Sequence, residues 1–394
     1  MIAKDKYVTK RCQNRPPLLI CAILILSMMV GCSPLPSFGE NPMAEELEAV
    51  DYTPLSGDDW DLSTPKDQGL DPKLTEELYH NAAELETLYG LLLIKNGYLI
   101  AEDYFDEGAV DRKTLLQSAS KSYISALVGI ALNQGCLSNV EQEMVEFFPE
   151  VADEVTDPRK REVTIRQMLQ MRSGFPDEET DEAYLEALYW GVYPPLIEAF
   201  PLVNEPGAAF NYSNVTYSWL AILLERECGP DLKAFARQYL FEPTETEVGD
   251  WLKDREGNYI GSGGIHVTAR DAAKFGWLYQ RDGAYKGKQV VPINWVHESL
   301  QTYSDHARDY GWGFALKDLG YGYGWWTARA GEHHFSFAWG HGGQLIVLLN
   351  ELDMVIVTTA DPFFGQHDGN SWKHEKATIN LVGDFIKSLP SESK

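Results

Sequence analysis

The sequence predicts an α/β protein whose sheet is drawn from both ends of the chain, with a helical block inserted between them. Three observations lead there. Two apolar runs flank Asn96-Gly97 near the start, helix-type spacing dominates from about Leu116 to Tyr239, and strand-like runs return only after residue 320. In chain order, Leu70-Asp71-Pro72 starts a helical pattern that continues to Leu85. Residues 91–95 and 98–105 then form a hairpin signal, because Asn-Gly supplies the two positive φ angles of a type I′ turn. The helical stretch is broken by the acidic residues 177–182 and by Tyr193-Pro194-Pro195. Residues 321–327 and 345–349 read as strands, and 354–359 pairs naturally with the latter across 350–353. Residues 372–389 close the chain with Ile379, Val382, Phe385, Ile386 and Leu389 on one helical face.

The chain has 394 residues, 44% apolar and 12% aromatic, enough for a substantial core. Lys4, Lys6, Lys10, Arg11 and Arg15 precede an apolar run from Leu18 to Val30, too short for a membrane span but of the length of a signal h-region. That run ends in Met29-Val30-Gly31-Cys32, which resembles the lipobox of bacterial lipoproteins, with Met29 where Leu is usual. The expectation is a signal peptide over 1–31, a lipid on Cys32, a flexible tether over 32–60 and a catalytic body over 61–390 held outside the cytoplasm. Residues 1–31 hold five of the 33 basic and one of the 59 acidic residues, so their removal moves the formal charge from −26 to −30. Such a surface repels phosphate backbones and argues against nucleic acid as a partner. Two cysteines remain in the body, Cys136 and Cys228. Each follows a predicted helix, and nothing in the sequence brings the two ends together, so the expectation is two buried thiols, although an exported protein permits a disulfide.

Ser118 and Lys121 lie three positions apart where an apolar helical pattern begins (Ile124, Leu127, Val128, Ala131, Leu132, with Gly135 as the stop). Ser-x-x-Lys also occurs at Ser63 and Ser391, both in polar stretches, so context has to decide. On the first turn of an amphipathic helix, Ser118 and Lys121 share a face. A serine needs a neighbour to take its proton, and a lysine can do so when burial or other cations depress its pKa. The same residues would also suit an N-cap serine beside a solvated lysine. Tyr212 and Asn214 alternate in the turn-rich stretch before another helix, and from an extended loop both reach one cleft as proton partner and amide anchor. Trp339-Gly340-His341-Gly342-Gly343-Gln344 enters an apolar strand, where glycines let a ligand approach the backbone and His341 can act as acid, proton partner or neutral donor.

Ser-x-x-Lys, Tyr-x-Asn and the glycine-rich strand entry, in this order, resemble the serine β-lactamase and penicillin-binding protein superfamily, most closely its class C-like branch of esterases, D-amino-acid peptidases and 6-aminohexanoate-dimer hydrolases. Thr164-Ile165-Arg166-Gln167-Met168-Leu169, Gly263-Gly264-Ile265-His266 and Tyr323-Gly324-Trp325-Trp326 agree with it, and the resemblance spans about residues 65–385. It implies an antiparallel sheet flanked by helices, an α/β sandwich of the β-lactamase/transpeptidase type. The sheet part would cover about 61–115 and 260–390, with an all-helical part inserted over about 116–259. It implies Ser118 as the acylated nucleophile, Lys121 as its base, Tyr212 as proton relay and Asn214 as a substrate contact. The backbone N–H groups of Ser118 and Gln344 would form the oxyanion hole.

His341-Gly342-Gly343 stands where the Lys-Thr-Gly motif is expected, a departure that replaces a permanent cation with a titrating imidazole and argues against penicillin as the main substrate. The acidic loop 177–182, with Tyr184, Tyr189, Trp190 and Tyr193, lies where such proteins build a cleft wall. Its aromatic residues would suit an apolar acyl chain and its acids an amino end, while a run of acids on so acidic a protein also reads as a solvated loop. The sequence has no Gly-x-Ser-x-Gly, no His-Glu-x-x-His and no complete dinucleotide fingerprint, so no metal or other cofactor is expected. The reading is a serine hydrolase acting on a small ester or amide. The alternatives are a β-lactamase or D,D-peptidase and a non-catalytic surface-binding lipoprotein; oligomeric state is not legible.

Overall fold

The computed structural model describes residues 50–311, 313–365 and 369–391, so the signal segment and Cys32 lie outside the described residues. The chain runs through β1 (Asp61–Leu62), α1 (Pro72–Ala83), β2 (Leu88–Lys95), β3 (Tyr98–Tyr104) and β4 (Thr114–Leu115) into α2 (Ser120–Gln134). There follow α3 (Pro149–Ala152), α4 (Ile165–Leu169), α5 (Glu182–Trp190), α6 (Tyr193–Ala199), α7 (Asn214–Cys228) and α8 (Leu232–Ala236). After β5 (His266–Val267) come α9 (Ala269–Gln280), the hairpin β6 (Ala284–Tyr285) and β7 (Lys288–Gln289), and α10 (Ile293–Ser299). Strands β8 (Lys317–Tyr321), β9 (Trp326–Ala330), β10 (His333–Gly340), β11 (Gln344–Leu349) and β12 (Met354–Ala360) precede the closing helix α11 (Ser371–Ser388).

Eight strands form one sheet in the order β1-β3-β2-β12-β11-β10-β9-β8. All neighbours are antiparallel except β1 and β3. The junction of β2 with β12 joins the two chain ends in the middle of the sheet, as the distribution of strand signals implies. Asn96 and Gly97 turn the β2–β3 hairpin with φ of 53° and 89°, the two positive angles the dipeptide was expected to supply. Every residue of β11 and β12 is buried, so both sheet faces are covered. Helix α9 packs on β2, β11 and β12, and α1 and α11 pack together against β2 and β9.

Four expectations are corrected. Residues 321–327 do not form one strand: β8 ends at Tyr321, the chain turns through Gly322–Trp325, and β9 starts at Trp326. Residues 333–340, for which no strand was expected, form β10, with Phe335, Phe337 and Trp339 turned to one face by the two-residue period of a strand. Helix α2 is not amphipathic, since every residue from Ser120 to Ala131 is buried, because α2 is packed against α7, α10 and β10 at once. Cys136 and Cys228, expected as separate thiols, form a disulfide. The side-by-side packing of α2 and α7 brings their C-terminal ends together, with 5.3 Å between the two Cα atoms.

The stretch expected as a tether to residue 60 is bound to the body from Val50 on. Glu102 N–H donates to Tyr52 O, the Leu55 N–H donates to Glu102 Oε2, and Arg270 reaches Leu55 O at 2.6 Å. Arg270 also pairs with Glu102 and Asp59 at 2.6 and 2.7 Å, so a buried ion cluster clamps this segment.

Candidate active site

Ser118 sits in the 3₁₀ turn Gln117–Ala119 between β4 and α2, just after Gln117, whose φ of 49° is unusual for a non-glycine residue. The end of β10 is pressed against this turn. A Cβ on Gly340 would lie 2.0 Å from Leu116 O, so only glycine allows the strand so close to the turn that carries Ser118.

Lys121, one turn on, is 1% exposed. Its Nζ lies 2.8 Å from each of three oxygens: Ser118 Oγ, Asn214 Oδ1 and the Ser262 carbonyl. The ring of Tyr212 covers it at 4.8 Å from the centroid. Burial pushes the amine down to about 7; Glu179 and Glu178 oppose this, and Arg308 adds to it. An ammonium can donate to all three oxygens, whereas a neutral amine has two hydrogens and one lone pair. Of the three partners only Ser118 carries a hydrogen on its oxygen, so the lone pair of a neutral Lys121 would have that hydroxyl as its one donor.

The Tyr212 phenol interacts with Ser118, and burial together with Tyr321 and Glu179 holds it protonated, while Ser118 and Arg308 pull the other way. Its ring stacks on Trp326 at 5.6 Å, and the Arg308 guanidinium lies 5.1 Å over its centroid. Arg308 is held by Asp177 at 2.6 Å, by Glu179 at 3.8 Å and by the Tyr310 hydroxyl at 3.2 Å. Asn214 starts α7 and bridges the groups: its Oδ1 accepts from Lys121, and its Nδ2 donates to Glu179 at 3.3 Å. The acids at 177–179 are therefore not a solvated loop. Asp177 pairs with Arg308, Glu178 is fully buried, and only Glu179 keeps substantial exposure, 45% of its side chain.

His341 lies between β10 and β11 with 41% of its side chain exposed. Its Nδ1 is 2.6 Å from Glu375 Oε2 on α11, and that hydrogen bond raises the imidazole above its ordinary range against the effect of burial. Glu375, buried, also accepts from Trp339 Nε1 and from Gly342 N–H. Gly343, with φ of 100°, completes the turn. Gln344 opens β11 opposite Gly340. Its side chain points inward, donating to Ala360 O at 2.7 Å and accepting from Ala360 N–H at 3.0 Å, so only its backbone is left to serve a cleft.

The structure thus gathers Ser118, Lys121, Tyr212 and Asn214 into one contact set, with His341, Gly343 and Gln344 at the strand entry beside the nucleophile turn. A model of the Beta-lactamase family matches residues 91–377.

The chain belongs to the β-lactamase family.

Within that family it is 26% identical over 285 residues to the 6-aminohexanoate-dimer hydrolase of Paenarthrobacter ureafaciens, covering 69% of this chain and 72% of that protein. A Bacillus anthracis structure named for the same activity shares the fold with a TM-score of 0.63 and 19% identity over 87% of this chain and 89% of that one. So does a hydrolase with promiscuous acyltransferase activity, with a TM-score of 0.63 and 15% identity over 78% and 98%. A third is the octameric penicillin-binding protein homologue from Pyrococcus abyssi, with a TM-score of 0.58 and 17% identity over 79% and 77%. At these identities the structural likeness carries the fold alone. With its relatives, this β-lactamase-family protein is a hydrolase of the serine type.

Three groups of this β-lactamase-family site were not found from the sequence. Glu375 left a signal, since it falls four residues before Ile379 and seven before Val382 on the apolar stripe of α11, an odd place for an acid. The Ser262 carbonyl is backbone and has no side-chain signal. Arg308 comes from a stretch without periodicity, and its position depends on tertiary packing; Glu178 lies in the acidic loop expected at the cleft wall, but its full burial was not legible. No group of acids, histidines or cysteines with metal-binding geometry occurs among the described residues.

Proposed function

We propose that this protein cleaves an ester or amide through an acyl-enzyme on Ser118, with Lys121 as the base and Tyr212 as the proton relay. One observation carries the reading: a buried lysine lowered to about 7 lies 2.8 Å from the hydroxyl it would deprotonate, beside acceptors that have no proton to give. Ser118 Oγ attacks the substrate carbonyl carbon while its proton passes to Lys121. The tetrahedral oxyanion is held by the backbone N–H groups of Ser118 and Gln344. Tyr212 then delivers its proton to the leaving alcohol or amine and is reprotonated from Lys121. Water attacks the acyl-enzyme while giving a proton to the neutral lysine, and return of that proton to Ser118 Oγ releases the acid and restores Ser118. Asn214 anchors the substrate carbonyl. His341, whose imidazole the Glu375 hydrogen bond raises above its ordinary range, takes the place of a lysine, so a titrating group stands where a permanent cation would grip a β-lactam carboxylate. The relative's printed activity, hydrolysis of an aminohexanoate dimer, supports an amide or ester of a flexible acid as the substrate class.

The proposal extends to location: Cys32 bears the lipid that holds the hydrolase to the bacterial envelope. Labelling with a lipid precursor should mark the wild-type chain and not Cys32→Ala.

Intact-mass labelling with a fluorophosphonate and with a penicillin, using Ser118→Ala as control, tests the chemistry. A Ser118-dependent fluorophosphonate adduct without a stable penicillin adduct is expected. A stable penicillin adduct would favour the peptidase reading, and no Ser118-dependent adduct would overturn the acyl-enzyme.

A further inference from the structure

Glu178 is a carboxylate with no exposure to solvent, and no step of the proposed reaction uses it. It belongs to the 3₁₀ turn Glu178–Thr180 and points at the start of α7. Its Oε1 accepts from Ser213 Oγ at 2.8 Å and from Val215 N–H at 3.2 Å, and its Oε2 accepts from Asn214 N–H at 2.7 Å. The N-cap residue of α7, Ser213, makes no side-chain cap of its own, so Glu178 supplies from a distant turn the acceptors that the helix start requires. All three donors lie in the segment that carries Tyr212 and Asn214, the two side chains that enclose Lys121.

We propose that Glu178 is a positioning residue: its ionised carboxylate locks residues 213–215, and with them Tyr212 and Asn214, onto Lys121, so the site assembles only when Glu178 has lost its proton. A protonated carboxyl has one acceptor fewer and no charge to strengthen the remaining bonds. One of the two backbone N–H groups would then lose its partner, and the start of α7 would be released. The charged groups around Glu178 are Lys121 on α2, its own neighbours Asp177 and Glu179, and Arg308, which pairs with both of those. Arg308 partly neutralises Asp177 and Glu179, and Glu178, after Glu179, is one of the acids that favour the charged form of Lys121. Burial pushes Glu178 up to about 7, the same range as Lys121. The competent state has a neutral lysine and an ionised glutamate, so two protons must leave one coupled pair before the enzyme works.

The inference rests on the Ser118 acyl-enzyme, and its test is the dependence of kcat/KM on pH, from about pH 5 to about pH 9, with p-nitrophenyl butyrate as probe. The wild type is expected to fall on the acid side with a limiting slope of two. Glu178→Gln, whose amide sets an N–H against a donor, is expected to fall with a slope of one and to reach a plateau about tenfold or more below the wild type. Ser213→Ala keeps the carboxylate and removes one bond that favours its ionised form; its acid limb should move to higher pH while its alkaline plateau stays within about threefold of the wild type. A merely structural Glu178 would change the melting temperature and leave the slopes alone. A folded Glu178→Gln with the wild-type slope, or an unshifted limb in Ser213→Ala, would overturn the role, and if Glu178→Gln does not fold Ser213→Ala decides. A rate that survives Ser118→Ala would overturn the acyl-enzyme and this role with it; a Ser118-dependent rate with a single-slope limb would overturn this role alone.

Discussion

Lys121 faces three oxygens at equal distance, and only one of them belongs to a group that can give up a proton. At the scale of single residues this asymmetry supports Ser118 as the nucleophile of the proposed reaction, and it predicts that Lys121→Met, which keeps the volume and removes the amine, lowers turnover by several orders of magnitude. Two further groups tune the amine in opposite directions. Arg308 lowers the Lys121 pKa, so Arg308→Gln should raise it and shift the acid limb of the rate profile to higher pH. Glu179 raises it, so Glu179→Gln should shift the limb to lower pH. Movement of both limbs in one direction would show that the lysine is not the titrating base. His341 offers a separate check. Glu375 holds its imidazole above the ordinary value, and Glu375→Gln should bring the His341 ring-proton titration in NMR down towards that value. An unchanged titration would remove Glu375 from the account.

At the scale of elements, the site depends on how closely a strand, a turn and two buried helices approach one another. Gly340 lets the end of β10 meet the Leu116–Ser118 backbone, and a methyl group there would collide with Leu116 O at 2.0 Å. Gly340→Ala should therefore displace the strand entry from the nucleophile, and a shift of about 1 Å is enough to cost about 100-fold in rate. Steady-state kinetics on the folded variant checks this; a loss smaller than about tenfold would mean that the strand entry does not shape the reaction. The same closeness explains why α2 was only half legible. Its apolar spacing and its Gly135 stop are plain in the sequence, and Gly135 ends the helix with φ of 79°. Its polar residues, however, look like a solvated face until the packing is known. Ser122 donates to Gly324 O at 2.6 Å and Ser120 accepts from the Ile265 N–H at 3.2 Å, so these two polar residues of α2 are buried and bonded rather than solvated. Strand β10 was missed for a related reason: Phe335, Phe337 and Trp339 do alternate, but they stand beside two histidines and run into a glycine turn, so the strand pattern is diluted at both ends.

For the whole molecule, the Cys136–Cys228 disulfide ties the ends of α2 and α7 across 92 residues, the loop that contains most of the helical block. Loop closure of that length restrains the unfolded chain by about 4.6 kcal/mol in the chain-entropy account. Cys228→Ala should lower the urea midpoint correspondingly while Ser118 labelling of the folded protein is kept; an unchanged midpoint would show that the bridge contributes nothing. The far-apart ends of the chain meet where β2 pairs with β12, and the segment from Val50 is clamped by Arg270, Glu102 and Asp59. By itself the sequence determined the fold class, the I′ hairpin, the helix that carries Lys121 and the order of the site motifs, whereas Ser118, expected on that helix, sits in the 3₁₀ turn before it. These follow from local rules, namely periodicity, turn chemistry and the spacing of residues one helical turn apart. Tertiary structure alone decided that Lys121 is buried among acceptors, that Glu178 caps α7 from another turn, that Glu375 grips His341 and that two cysteines meet. Each of these pairs residues distant in sequence, where burial and approach of side chains set the chemistry and no local pattern records it.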